Sequence, residues 1–179
     1  MTLPLTYQPA LSRPDLLAPV VATALAALPW ADQVRVAALD PALSDTAQFC
    51  ETYGVAPADS ANCVVIAGKR GGEVRYAACI VAATTRADVN GVVRQHLDVR
   101  KASFGPVDTV TALTGMEYGG ITPVGLPPSW PVLVDDLVAK TASVVIGSGI
   151  RGAKLWLAGS LLAELPGARV LPGLGLPAS

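Results

Sequence analysis

Residues 63–83 read CVVIAGKRGGEVRYAACIVAA, and this stretch decides the fold class. Cys63 to Ala67 is a compact apolar run. Gly68-Lys69-Arg70-Gly71-Gly72 is a polar, glycine-rich turn, and Glu73 to Ala83 resumes the apolar pattern. Two β-type runs around such a turn predict a hairpin. Downstream, Val132 to Val134, Ser143 to Ile146 and Lys154 to Leu157 read as further strands, with a last one near Val170. Upstream, Pro14 and Asp15 open a helical pattern carrying Leu16, Leu17, Val20, Val21, Leu25 and Leu28. Val34 to Leu39 reads as a short strand. Ser44 suits the N-cap of a helix through Tyr53, and Gly54 is its natural stop. Arg86 to Leu97 returns to helical spacing, and Val99 to Phe104 reads as extended. Pro106 opens a helix over Val107 to Leu113, and Ser160 to Leu165 gives a last short one. The expected class is α+β: a curved, barrel-like mixed sheet flanked by helices.

The chain has 179 residues, which fits one compact domain. It is 51% hydrophobic and 15% charged, so a sizeable core forms and wholesale disorder is excluded. A formal net charge of -1 supplies no broad basic field, which argues against wrapping a DNA duplex. Cysteines stand at 50, 63 and 79, with no C-x-x-C pair and one histidine, His96. That inventory argues against a Cys/His zinc site and against a disulfide framework. A reducing, cytoplasmic setting follows as the expectation. The apolar run from Leu16 to Trp30 is too short to span a bilayer, and Pro19 interrupts it. Only Arg13 precedes it as a basic residue, so it does not read as a secretory signal.

Gly147 to Gly152 matches G-x-G-x-x-G, but the segment that follows reads as a strand and not a helix. A dinucleotide site is therefore rejected in favour of a tight turn between strands. His96 lies on a helical segment without a nucleophile-elbow motif anywhere, which argues against a Ser-His-Asp triad. Asp135 and Asp136 are adjacent at a strand end and point to opposite faces of a regular strand. One of them facing a cleft and one capping the next turn are equally good readings. Cys63 and Cys79 read as small core residues.

Thr114 to Gly125 is different in kind. It reads TGMEYGGITPVG, with Gly115, Gly119, Gly120, Pro123 and Gly125 in a dozen positions. Neither a helix nor a central strand accommodates that density of glycine and proline. Its main-chain amides suit a carbonyl or oxyanion without any charged side chain. A purely structural connection fits the same residues.

This segment, followed by Val134-Asp135 and then Gly147-Ser148-Gly149-Ile150-Arg151-Gly152, resembles the YbaK / prolyl-tRNA-synthetase-associated editing domain family. The resemblance runs from Ser44 to the C-terminus. It divides the chain into an N-terminal helix and strand, residues 1–43, packed on an editing domain, residues 44–179. The family implies a mixed α/β fold with a barrel-like sheet. It also implies hydrolysis of the ester of mischarged aminoacyl-tRNA in trans, without metal or cofactor. By the same resemblance, Asn62, Gly119, Gly120 and Asp135 stand at the catalytic positions. Thr114, Gly115, Ile121, Thr122, Pro123, Gly147, Ser148 and Gly149 line the substrate pocket. The implied partner is the aminoacyl-tRNA acceptor end, with no DNA duplex and no membrane; a homodimer is left open.

One position departs from the family pattern. A lysine usually opens the first hairpin strand, and Asn62 stands there in this chain. An amide hydrogen-bonds but supplies no positive charge to a phosphate or a developing oxyanion. Lys69, seven positions on in the turn, is no obvious replacement. The alternative to a deacylase is therefore a non-catalytic module of the same fold, holding an aminoacyl-adenosine, a nucleotide or a protein. A hydrolase of other small esters or amides fits the same dipole-lined pocket. Lys69, Arg70, Arg86, Arg94, Arg100 and Lys101 read either as a basic rim for an acceptor stem or as solvated surface charge.

Overall fold

The computed structural model describes residues 2–178. Eleven strands and six helices follow in chain order: β1 (Gln8–Pro9), α1 (Pro19–Ala26), β2 (Arg35–Ala38), α2 (Thr46–Tyr53), β3 (Ala61–Arg70), β4 (Glu73–Ala82), β5 (Thr85–Ala87), α3 (Arg94–Leu97), β6 (Ala102–Phe104), α4 (Val107–Thr114), β7 (Val132–Asp135), α5 (Asp136–Lys140), β8 (Val144–Gly147), β9 (Ala153–Leu157), α6 (Gly159–Leu162), β10 (Ala168–Leu171) and β11 (Gly175–Pro177). The class is mixed α+β, as expected.

The hairpin of β3 and β4 pairs from Ala61↔Ala82 to Arg70↔Glu73. Gly71 and Gly72 turn it with φ of 58° and 88°, values that favour glycine. This hairpin anchors a five-stranded sheet, order β10-β7-β4-β3-β6, in which β7 runs parallel to both β4 and β10. An antiparallel four-stranded sheet, order β1-β2-β9-β8, stands against it, and β5 and β11 form a small third ladder. A parallel bridge between Ser60 and Val145 joins the two larger sheets along one seam.

Strand alternation distributes the core. Ala78 and Ile80 of β4 face Ile146, Leu155, Leu157 and α1's Val21 and Leu25 between the sheets. Cys79 and Val81 point the other way, against Val93, Leu97 and Leu174. On the outer face of the four-stranded sheet, Phe49 and Cys50 of α2 cover Val145 and Leu39. Each fully buried Leu, Ile or Phe contributes about 1.5–3 kcal/mol.

Several boundaries differ from expectation for local reasons. Pro19 sits in the first turn of α1, and Pro14–Leu16 forms a separate 3-10 turn before it. Asp45, not Ser44, caps α2, because Ser44 is taken into the turn after Pro41 while Asp45 is extended and accepts from the Ala47 amide at 3.1 Å. Residues 86–97 do not form one helix. Thr85–Ala87 pairs with β11, and Asp88 then caps a π-type turn, Val89–Val93, through Gly91 and Val92 amides at 2.9 and 3.0 Å. Only Arg94–Leu97 remains α-helical. The short strands β1 and β11, each containing proline, were not anticipated.

Candidate active site

A cavity of about 400 Å³ opens where the seam between the sheets meets the glycine-rich loop. That volume lies in the ~300–1,000 Å³ range of ligand pockets. Ser44, Asp45 and Thr46 approach it from the start of α2, and Ala61 to Val64 from the start of β3. Tyr118, Gly119 and Ile121 come from the loop, and Gly147, Arg151 and Lys154 from the β8–β9 hairpin. Larger clefts of about 850 and 650 Å³ exist, but neither includes a loop glycine. The smaller cavity is where the glycine motifs converge.

Two glycine turns cross to build it. Gly149 donates its amide to the Gly120 carbonyl at 2.7 Å, and Glu117 donates to the Gly149 carbonyl at 2.8 Å. The crossing is too close for side chains. A Cβ on Gly120 would lie 2.4 Å from the Ile150 oxygen, and one on Gly147 would lie 2.4 Å from the Gly120 oxygen. Arg151 straps the assembly: its main-chain amide donates to Glu117 Oε2 at 2.7 Å, and its guanidinium donates to the carbonyls of Tyr118 and Pro41 at 3.1 and 3.2 Å. Among the described residues, the amides of Gly119 and Ile121 find no protein acceptor. Unpaired amides on a cavity wall suit an incoming oxygen.

Asn62 also lines the cavity, and its Oδ1 accepts from Thr46 Oγ1 at 2.6 Å. Thr46 thereby leaves the Asn62 amide hydrogens for the cavity. Ser44 Oγ is buried without a partner, beside Gly119. Burial pushes the Cys63 thiol well up, with Cys79 adding to the effect, and pushes Cys79 up to about 12. Neither supplies a thiolate nucleophile near neutral pH. Among the described residues no cluster of His, Cys, Asp and Glu is suited to hold a metal.

The structure thus brings Asn62, Gly119, Gly120, Ile121, Gly147 and Gly149 together. Thr114 ends α4, donating to the Val110 carbonyl and accepting from Met116, while Gly115 is the left-handed stop after it. Thr122 is fully buried beneath the loop, and Pro123 faces a different hollow beside Leu126 and Trp130. Ser148 is buried and donates to the Ala153 carbonyl at 3.1 Å, shaping its own turn. Asp135 is outside the cavity. It caps α5 through the Leu137 amide at 3.0 Å, its second oxygen lies against the Gly175 backbone, and burial holds its carboxyl above the usual range despite the Leu137 and Gly175 amides.

Of the scattered cations, Lys69, Arg100 and Lys101 line the cleft of about 850 Å³, while Arg70 pairs with Asp98. Lys154 was missed as a site residue. The signal was available: Ala153, Leu155 and Leu157 alternate into the core, so Lys154 occupies the opposite face.

Comparison with known proteins accords with this fold. A candidate trans-editing enzyme for prolyl-tRNA synthetase has a TM-score of 0.73 at 22% identity, with 90% of this chain and 97% of that one covered. The hypothetical protein APE2540 has a TM-score of 0.70 at 22% identity, covering 80% and 91%. At such identities the likeness is one of fold. No curated protein matches. The family model of the aminoacyl-tRNA editing domain matches residues 40–165, which include β3, the glycine loop and the β8–β9 turn. With well over half its length matched, the chain belongs to the aminoacyl-tRNA editing domain family.

Proposed function

We propose that the protein is an aminoacyl-tRNA deacylase that hydrolyses the ester of mischarged tRNA in trans. The observation that carries this reading is the 400 Å³ cavity lined by Gly119 and Ile121, whose amides find no acceptor among the described residues. In the reaction, the acyl carbonyl oxygen rests on the Gly119 and Ile121 amides. A confined water attacks the acyl carbon, and the carbon–oxygen bond to the terminal ribose breaks. The ribose oxygen leaves with a proton from that water, giving free amino acid and uncharged tRNA. Main-chain dipoles are already oriented for the oxyanion, so little reorganisation accompanies charge development. The Gly120–Gly147 crossing fixes the wall and limits the acyl group by size.

A second reading has its own observation. Asn62 holds the position where the resemblance expects lysine, and Thr46 ties its carbonyl oxygen. A module that binds aminoacyl-adenosine without turnover fits that change. Incubating the pure protein with a panel of mischarged tRNAs separates the two. Release of amino acid above the buffer rate for at least one member supports the deacylase. No release, with tight binding of a non-hydrolysable 3′-aminoacylamino-adenosine, supports the binding module.

A further inference from the structure

Lys154 is a feature of the cavity that its scaffold does not explain. It is 8% exposed, yet it lines the cavity. Its ammonium lies 5.5 Å from the centroid of the Phe49 ring, a favourable but partial compensation. It belongs to none of the ion pairs among the described residues. Cys50, Asp45 and Arg151 are the titratable groups around it. The Asp45 carboxylate is engaged on the Ala47 and Gln48 amides, and Arg151 repels. An ammonium withdrawn from water without a carboxylate partner is costly. A ligand anion would relieve that cost, and the unpartnered Ser44 Oγ belongs to the same cavity lining.

Register explains why the charge is there. Ser60 bridges Val145 in parallel, which brings the start of β3, with Asn62, beside β8, and Asn62 and Gly147 line the same cavity. Gly147 is paired with Lys154. The residue that lacks a charge and the residue that bears one therefore line one cavity together with that glycine.

We propose that Lys154 is the anion-binding residue of this cavity: it takes an anionic oxygen of the bound aminoacyl-adenosine end, in place of the cation absent at position 62. The identity of that ligand rests on the deacylase-family reading above. Two oxygens have the right chemistry, the phosphate of the terminal nucleotide and a carboxylate on the amino-acid side chain.

Calorimetry with stable analogues tests this apart from turnover. One arm compares 3′-alanylamino-3′-deoxyadenosine with and without a 5′-phosphate. The other compares the 3′-aspartylamino with the 3′-alanylamino compound, both lacking phosphate. Wild type should prefer the anionic member of one pair by about 10- to 100-fold, the range of a charge-assisted hydrogen bond. Lys154→Met should erase that preference and Lys154→Arg should keep it. If the phosphate arm responds, the double variant N62K/K154M should restore the preference from position 62. No preference in either arm, or a preference that survives Lys154→Met, overturns the proposal. Wild type that deacylates tRNA but shows no Lys154-dependent preference sinks this proposal alone. Wild type that shows the preference without turnover sinks the deacylase reading alone.

Discussion

Gly147→Ala places one methyl group where the two glycine turns cross. An ideal Cβ there would stand 2.4 Å from the Gly120 oxygen and 2.6 Å from the Ile121 oxygen, whereas ordinary contact begins at 3.4 Å. The loop must therefore retreat by about 1 Å, because both obstacles are main-chain atoms that no rotamer can move. Gly147 itself does not need a left-handed backbone, so space and not φ is what the substitution perturbs. The retreat opens the 2.7 Å bond from the Gly149 amide to Gly120 and shifts the Gly119 and Ile121 amides away from the ester. A displacement of that size costs on the order of 100-fold in rate, and the overpacking costs about 1–3 kcal/mol of stability. Single-turnover deacylation of whichever mischarged tRNA the panel identifies, with urea unfolding on the same sample, measures both. A folded variant that keeps the rate within about twofold of wild type would refute the claim that this crossing positions the ester.

Two further outcomes follow from buried charge. Burial lowers the Lys154 pKa below 10.5, with Cys50 and Asp45 opposing that shift and Arg151 adding to it. Below the lowered value both the folded and the unfolded chain hold the proton, and the burial penalty is complete. As pH rises from there toward 10.5, the folded chain releases the proton first and stability climbs. Lys154→Met should therefore be more stable than wild type by about 1–2 kcal/mol at pH 7, and the gap should close as pH rises. Cys63 and Cys79, whose raised values act in the opposite sense, cancel in the difference between the two proteins. Urea midpoints for both proteins at pH 7 and pH 10 check this; a gap that widens with pH contradicts it. For Asp135, the cap on α5 predicts that Asp135→Ala loses about 0.5–2 kcal/mol, while Asp135→Asn keeps the fold and the deacylation rate. Loss of turnover in a fully stable Asp135→Asn protein would assign the carboxylate a chemical role from outside the cavity.

What could be read from the chain was whatever local chemistry determines. The β3–β4 hairpin was legible because the alternation and the Gly71-Gly72 turn lie within one window. So was the stop of α2 at Gly54, where φ is 69°. Residues 86–97 were misleading because Thr85–Ala87 finds its partner at Gly175–Pro177, nearly ninety positions away. No periodicity in the window reports such a pairing. Ser44 and Asp45 are adjacent good caps, and the 3-10 turn begun at Pro41 chooses between them. In the site, Gly119-Gly120 and Gly147–Gly149 announced close backbone approach, and they approach each other. Asp135 stood at a strand end where alternation could not tell cleft from cap, and the turn into α5 takes it as a cap.

Lys154 shows why a missing residue in a motif is weaker evidence than it looks. A motif fixes a side chain to a position along one strand, but chemistry requires only that a charged atom reach a point in space. At the seam of two sheets that point is reachable from either sheet, and a lysine carries its charge on a flexible four-carbon stem. β3 offers Asn62 and β9 offers Lys154 to one cavity, which Gly147, the partner of Lys154, also lines. A glycine there lets the Gly120 and Ile121 carbonyls of the loop pack directly onto β8. Moving the cation across the seam therefore leaves the loop amides, the glycine crossing and the cavity as they are, and changes only the strand from which an anion is held.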